Sequence, residues 1–181
     1  MGCEKPTILS DRRRLRRPLL NCRVSGFVQS NSVSYGRATP YLPVIELLRH
    51  YFQIGVHDST QSIREKVTDK ILTLDATLQD AIPPMLDLLD ALDDEHPFRS
   101  LDPLRHRQYT YQAVTRLLLS ETRVQPVVAV FEDLHWHDSL SLGLLSELVV
   151  AAQHARFLLV VSYRPEYGTN GETGRTIGKF A

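Results

Sequence analysis

The chain has 181 residues, of which 43% are hydrophobic and 23% charged, and its 21 basic and 21 acidic side chains give a formal net charge of zero. That length and composition suit one globular domain with a sizeable core, and the balanced charge gives no global attraction to nucleic acid or to an anionic membrane surface. No apolar run approaches the ~18 residues of a membrane span. Cys3 and Cys22, the only cysteines, lack CxxC spacing, so neither a disulfide framework nor a zinc site is expected and the location points to the cytoplasm.

Residues 1–26 carry Arg12, Arg13, Arg14, Arg16 and Arg17 without hydrophobic periodicity, and read as an irregular basic leader. MGCEKP resembles a myristoylation signal, but Pro6 stands where Ser or Thr is required. From Gly26, GFVQSNSVSYG has the β-formers of a short strand, bounded by the turn-prone GRATP. YLPVIELLRHYFQI, Tyr41 to Ile54, then places Val44, Leu47, Leu48, Tyr51 and Phe52 at helical spacing, with Pro43 fitting the first turn. Asp58, Ser59 and Thr60 can cap a helix beginning near Ser62 and burying Ile63, Val67, Ile71 and Leu74, after which Asp75 restarts a turn.

Pro83 and Pro84 open a short helix whose acids (Asp87, Asp90, Asp93, Asp94, Glu95) lack the glycine and terminal ligand of a calcium loop and read as a solvated face. From Pro103 a long helix is expected, with Tyr109, Ala113, Arg116 and Leu117 along one stripe, broken at Gln125-Pro126. The period then changes. PVVAVF and FLLVVSY (Phe157 to Tyr163) are continuous apolar runs of the kind buried in a parallel sheet, and Ser139 to Ala155 between them is helical with Leu140, Leu144, Leu145 and Leu148 inward. Strand, helix, strand is a βαβ unit, and the fold class is α/β.

Ligands of open parallel sheets sit beyond the carboxyl ends of the strands. Here those ends read EDLHWHD and SYRPEY, so neighbouring strands would converge Glu132, Asp133, Ser162 and Arg164 on one edge. Adjacent acids after an apolar strand suit Mg²⁺-nucleotide chemistry: one positions the hydrated metal while the other orients water, and an arginine nearby matches phosphate geometry. The alternative for Arg164 is a surface pair with Glu166. Asp138 and Ser139 occupy the cap position of the next helix, so capping does not explain the two acids. His135, His137 and Asp138 have metal-ligand chemistry, but no third clustered His or Cys joins them, and a solvent-side loop is the simpler reading. Trp136 reads as an aromatic plug over the sheet edge.

VVAVFEDLHWHDSLSLGLL with LLVVSYRPEY resembles the Walker B and sensor-1 segments of AAA/STAND signalling ATPases among the P-loop NTPases. It is closer still to the ATPase modules that accompany nucleotide-cyclase domains or sit in LuxR-type transcriptional regulators of bacteria. VSYGRATPYLPVIELLRHYF is similar to the segment after that family's second strand. The resemblance implies an incomplete P-loop NTPase-like parallel sheet flanked by helices, divided as a leader (1–26), a partial ATPase domain (27–167) and a flexible tail (168–181). It implies Glu132 and Asp133 as metal-side and catalytic acids, Ser162 and Arg164 at the nucleotide, and ATP with Mg²⁺ as cofactors.

The G-x-x-x-x-G-K-[ST] loop that would cradle phosphates is missing, and the family would place it where this chain has MGCEKPTILSDRRRLRRPLL. The only GK, in GETGRTIGKF, has Phe180 for the hydroxyl and Thr173 for the first glycine, and it follows the Walker B strand. The fifth strand and helical lid of the family are not written either. The expectation is therefore a fragment of a signal-transduction ATPase without turnover on its own. The alternatives are a non-catalytic interaction module or the product of a disrupted reading frame. Implied partners are a cyclase or DNA-binding domain and helical repeats in a longer protein, with no direct nucleic acid or membrane contact. The uncovered sensor strand, Phe157 to Val161, also makes self-association an expectation.

Overall fold

The computed structural model describes residues 27–30, 40–131 and 138–161. Three parallel strands, β1 (Phe27–Ser30), β2 (Val127–Phe131) and β3 (Phe157–Val161), form one sheet in the order β1-β2-β3. Phe27 pairs with Val128, and Val127 with Phe157, so β2 is central. Among the described residues β3 has one strand neighbour. Val127, Ala129 and Phe131 are buried, whereas Val128 and Val130 are only partly covered. The apolar run thus fills one face of the sheet and half-covers the other, rather than being buried equally on both.

The first helix, α1 (Leu42–Tyr51), carries Pro43 in its first turn and buries Val44, Leu47 and Leu48. The second, α2 (Thr60–Leu74), starts two residues before the position expected from the sequence, because Ser59 is the cap: its hydroxyl accepts from the Ser62 N–H at 3.2 Å. Ile63, Val67 and Ile71 form its buried stripe. Asp75 then caps a 3-10 turn (Ala76–Ala81) by accepting from the Thr77 N–H at 2.9 Å, and α3 (Ile82–Leu88) follows with its prolines where no intrahelical donor is needed.

The 22-residue helix α4 (Pro103–Val124) is about 33 Å long at 1.5 Å per residue. The Asp102 carboxylate accepts from the Leu104 and Arg105 N–H groups at its start, and Gln125-Pro126 closes it. Its buried side shares Ala113 and Leu117 with the stripe expected from the sequence and departs from it at Tyr109 and Arg116. Tyr109 is half exposed and Arg116 reaches outward to Asp80 at 2.6 Å, whereas Thr110, Tyr111, Val114, Leu117 and Leu118 face the interior. One residue is about 100° of helix rotation, so Tyr109 and Arg116 fall outside the buried sector in which Ala113 and Leu117 lie.

The last helix, α5 (Ser139–Ala151), ends four residues before the expected Ala155, with Ala152 as its cap. Arg156 in the turn after it donates to the Thr122 and Arg123 carbonyls at 3.1 and 2.7 Å, which ties the start of β3 to the last turn of α4. Helices α2, α3 and α4 pack with the 3-10 turn, while α4 also meets β2 and α5, and α1 meets β1 and α5. The buried side chains form one continuous core.

Two polar clusters hold this frame away from the sheet end. Glu121, on α4, is buried and accepts from the Tyr51 phenol at 2.8 Å and from the Gln125 side-chain amide. Burial, and then that bond, push the Tyr51 phenol far above its ordinary range. On the acidic face Asp87 takes Arg99 at 3.2 Å and His106 at 3.0 Å, and Asp93 takes Arg64. Among the described residues no group of three or more His, Cys, Asp or Glu side chains could hold a metal ion.

Asp58 gives the fold an acid-sensitive joint. Its carboxylate accepts from Lys66 Nζ at 2.7 Å, the Gly55 N–H at 2.6 Å and the Ser62 hydroxyl at 2.9 Å, and these bonds, Lys66 first, hold its pKa at about 2 against an ordinary 3.8. A depressed carboxylate stabilises the fold above its unfolded pKa and loses that contribution as pH falls through the folded value. The melting-temperature gap between wild type and Asp58→Asn is therefore expected to be widest above about pH 5 and to close between about pH 4 and 2. A gap unchanged over that window would remove the joint from the account.

Candidate functional site

Phe131 and Val161, the last residues of β2 and β3, are register partners, so the two strand ends stand side by side at the carboxyl edge of the sheet. In the chain Phe131 is followed by Glu132 and Asp133, and Val161 by Ser162 and, two residues later, Arg164. These four residues lie outside the described residues, as do His135, Trp136 and His137. The structure brings together the strand ends from which the expected site residues depart. Asp138, the remaining member of the His-His-Asp set, is described, and its carboxylate is occupied as a helix cap. Oδ1 accepts from the Leu140 and Ser141 N–H groups at 3.0 Å each, and Oδ2 accepts from the Ser141 hydroxyl at 2.6 Å. Ser141 itself is fully buried.

Around this cap stands a cluster that the sequence reading missed. The Tyr111 phenol, from α4, donates to the Leu140 carbonyl in the first turn of α5 at 2.6 Å. Its approach depends on Gly143: a Cβ there would lie 2.4 Å from the Tyr111 oxygen. Tyr41 stands edge-on to Tyr111, with ring centroids 6.2 Å apart and planes at 89°, a favourable aromatic geometry. Tyr41 immediately precedes α1 and has left-handed backbone at φ 60°, ψ 12°, which is uncommon for a residue with a Cβ. Both phenols are pushed above their ordinary range, chiefly by burial. Tyr111 and Asp138 add to the shift at Tyr41, Asp138 and Glu147 add to that at Tyr111, and Arg107 opposes both. The available signal was the spacing of Tyr111, Val114, Thr115 and Leu118 within QYTYQAVTRLLL; the neighbouring Tyr109 masked it.

A Mg²⁺-nucleotide needs carboxylate or hydroxyl oxygens for the metal and a glycine-lined cradle of N–H groups for the phosphates. The residues expected to meet that group, Glu132, Asp133, Ser162 and Arg164, lie outside the described residues, and no phosphate cradle or metal-ligand cluster stands among the described residues. Of their glycines, Gly55 gives its N–H to Asp58 and Gly143 is pressed against Tyr111.

A family model described as an AAA ATPase domain matches residues 7–161. The chain belongs to that family. Membership supports an ATPase-type module and nucleotide binding in general, and the α/β fold with its small parallel sheet agrees with a P-loop NTPase-like architecture. The matched range of this AAA ATPase domain ends at the last residue of β3 and takes in all five arginines of the basic run, Arg12 to Arg17. No curated protein and no solved structure matches the chain. Among the described residues of the domain, no helix is long and apolar enough to cross a membrane.

Proposed function

We propose that the chain is the Walker B and sensor portion of an AAA/STAND-type signalling ATPase, in which Glu132 and Asp133 face a divalent cation and Ser162 and Arg164 face the nucleotide phosphates. The observation that carries this reading is the register of β2 and β3. Two parallel neighbours end together at Phe131 and Val161, and each is followed at once by the polar residues that Mg²⁺-nucleotide chemistry uses. The sheet is incomplete in this reading, with β3 open where the family's phosphate-loop strand would lie. Without that loop the two acids and the arginine have no backbone cradle to position a triphosphate. The working protein is then a longer bacterial regulator that joins this module to a cyclase or DNA-binding domain and helical repeats.

The chain is expected to hydrolyse ATP no faster than a buffer blank. A family-type phosphate loop grafted ahead of Val33 should confer binding of a fluorescent ATP analogue that depends on Mg²⁺. Turnover by the unmodified chain that Glu132→Gln abolishes would overturn the inactive-fragment reading. A folded graft that binds nothing would overturn the assignment of the acids.

A further inference from the structure

We propose that the turn carrying Phe98 is a proton-operated latch on the connector between α3 and α4, released when His96 takes up a proton. Residues 89–102 make that connector, and within it a second 3-10 turn (Pro97–Ser100) carries Phe98, 7% exposed, into the core. His96 caps this turn through its ring: Nδ1 accepts from the Phe98 N–H at 3.1 Å. A backbone N–H can only donate, so the bond requires a bare Nδ1 with the ring proton on Nε2. An asparagine or serine cap keeps its acceptor at every pH near neutrality, whereas an imidazole does not. Protonated His96 has a donor at both ring nitrogens, which sets two donors face to face at the entry to the turn.

A second histidine on the other side of Phe98 responds with the opposite sign. His106, on α4, lies against the Phe98 ring with centroids 4.4 Å apart and planes at 39°. Its Nε2 meets the Asp87 carboxylate on α3, which can only accept, at 3.0 Å. A proton on His106 turns that bond into a charged pair and places a cation beside the aromatic ring, both favourable. Of the other charged groups on these elements, Arg99 reaches Asp87, Asp90 and Asp94, and Arg64 from α2 holds Asp93 and the Ala91 carbonyl. Asp102 caps α4 and pairs with Arg105, and Glu95 is exposed. Carboxylates and arginines keep their charge between about pH 8 and 5, so the two histidines are the groups that change. Acidification therefore frees the turn and its phenylalanine while α3 and α4 stay joined.

Amide exchange reads the latch directly. The protection factor of the Phe98 N–H, which corrects for the intrinsic pH dependence of exchange, is compared with that of Val67 in the buried stripe of α2. Their ratio is expected to fall about fivefold between about pH 8 and 5, the effect of losing a cap of average strength. His96→Asn, whose amide oxygen caps without titrating, should hold the high ratio throughout, and His96→Ala should show the low ratio at both ends. His106→Gln should leave the fall in place. A constant ratio in the wild type overturns the proposal, as does a fall that persists in His96→Asn or disappears in His106→Gln. The nitrogen shifts of the imidazole give a separate check: above about pH 8 the His96 ring proton should sit on Nε2, and a proton on Nδ1 overturns the latch.

Discussion

Phe131→Ala is expected to destabilise the fold by about 3–5 kcal/mol, the range for truncating a buried aromatic side chain. Phe131 is 1% exposed and ends the central strand, where it is paired in register with Ser30 on one side and Val161 on the other. Alanine keeps the backbone pairing but removes the ring, and a site walled by two strands and packed helices has little room to collapse into the cavity. A loss of that size is a large part of the ~5–15 kcal/mol that holds a typical domain. Urea unfolding should show a lower midpoint with an unchanged slope, whereas Leu104→Ala, at a residue 63% exposed, should stay within about 0.5 kcal/mol of wild type. A Phe131→Ala loss below about 1 kcal/mol would mean that the end of β2 is not packed as described.

Gly143→Ala sets two effects of opposite sign against each other. In a helix interior alanine is favoured over glycine by about 1 kcal/mol, so α5 alone would be strengthened. The added Cβ, however, would meet the Tyr111 oxygen at 2.4 Å. Tyr111 cannot easily swing away, because its phenol is bonded to Leu140 and its ring is packed by Tyr41. Forcing extra volume into a packed site costs about 1–3 kcal/mol, and losing the Leu140 bond adds to that. The net expectation is a loss on the order of 1–2 kcal/mol. Tyr111→Phe deletes the clashing oxygen and leaves ring carbons at 3.2 and 3.3 Å as the nearest atoms. The double variant should therefore lose about 1 kcal/mol less than the sum of the single losses. Strict additivity in that cycle would show that the two residues do not touch.

What could be read from the sequence was whatever repeats locally. The βαβ unit from Val127 to Val161 was legible because two β-branched runs flank a leucine-rich helix, and the cap at Asp138 because an acid precedes the first helical turn. The capping of α2 by Ser59 and the turn at Asp75 were legible for the same reason. The buried face of α4 was legible at Ala113 and Leu117 but not at its tyrosine, since QYTYQ offers two tyrosines and only packing against α5 selects Tyr111. Nor was the buried pairing of Tyr51 with Glu121, residues seventy positions apart, because neither carries a local sign of the other. For the candidate site, the sequence supplied the identities of Glu132, Asp133, Ser162 and Arg164. The structure supplied what identities cannot, namely that the strands preceding them are parallel neighbours in register.

The sheet joins strands of very different separation along the chain. Phe27 pairs with Val128, whereas Val127 pairs with Phe157, so the first pairing closes a loop more than three times as long as the second. Closure entropy grows only with the logarithm of loop length, and the longer loop is disfavoured by just about 1 kcal/mol relative to the shorter. The helices between β1 and β2 shorten the effective loop further once they form. The long helical excursion therefore adds little to the thermodynamic burden of the sheet. It weighs instead on the search time: the local pairing of β2 with β3 can be found quickly, and that of β1 waits for the chain between to condense.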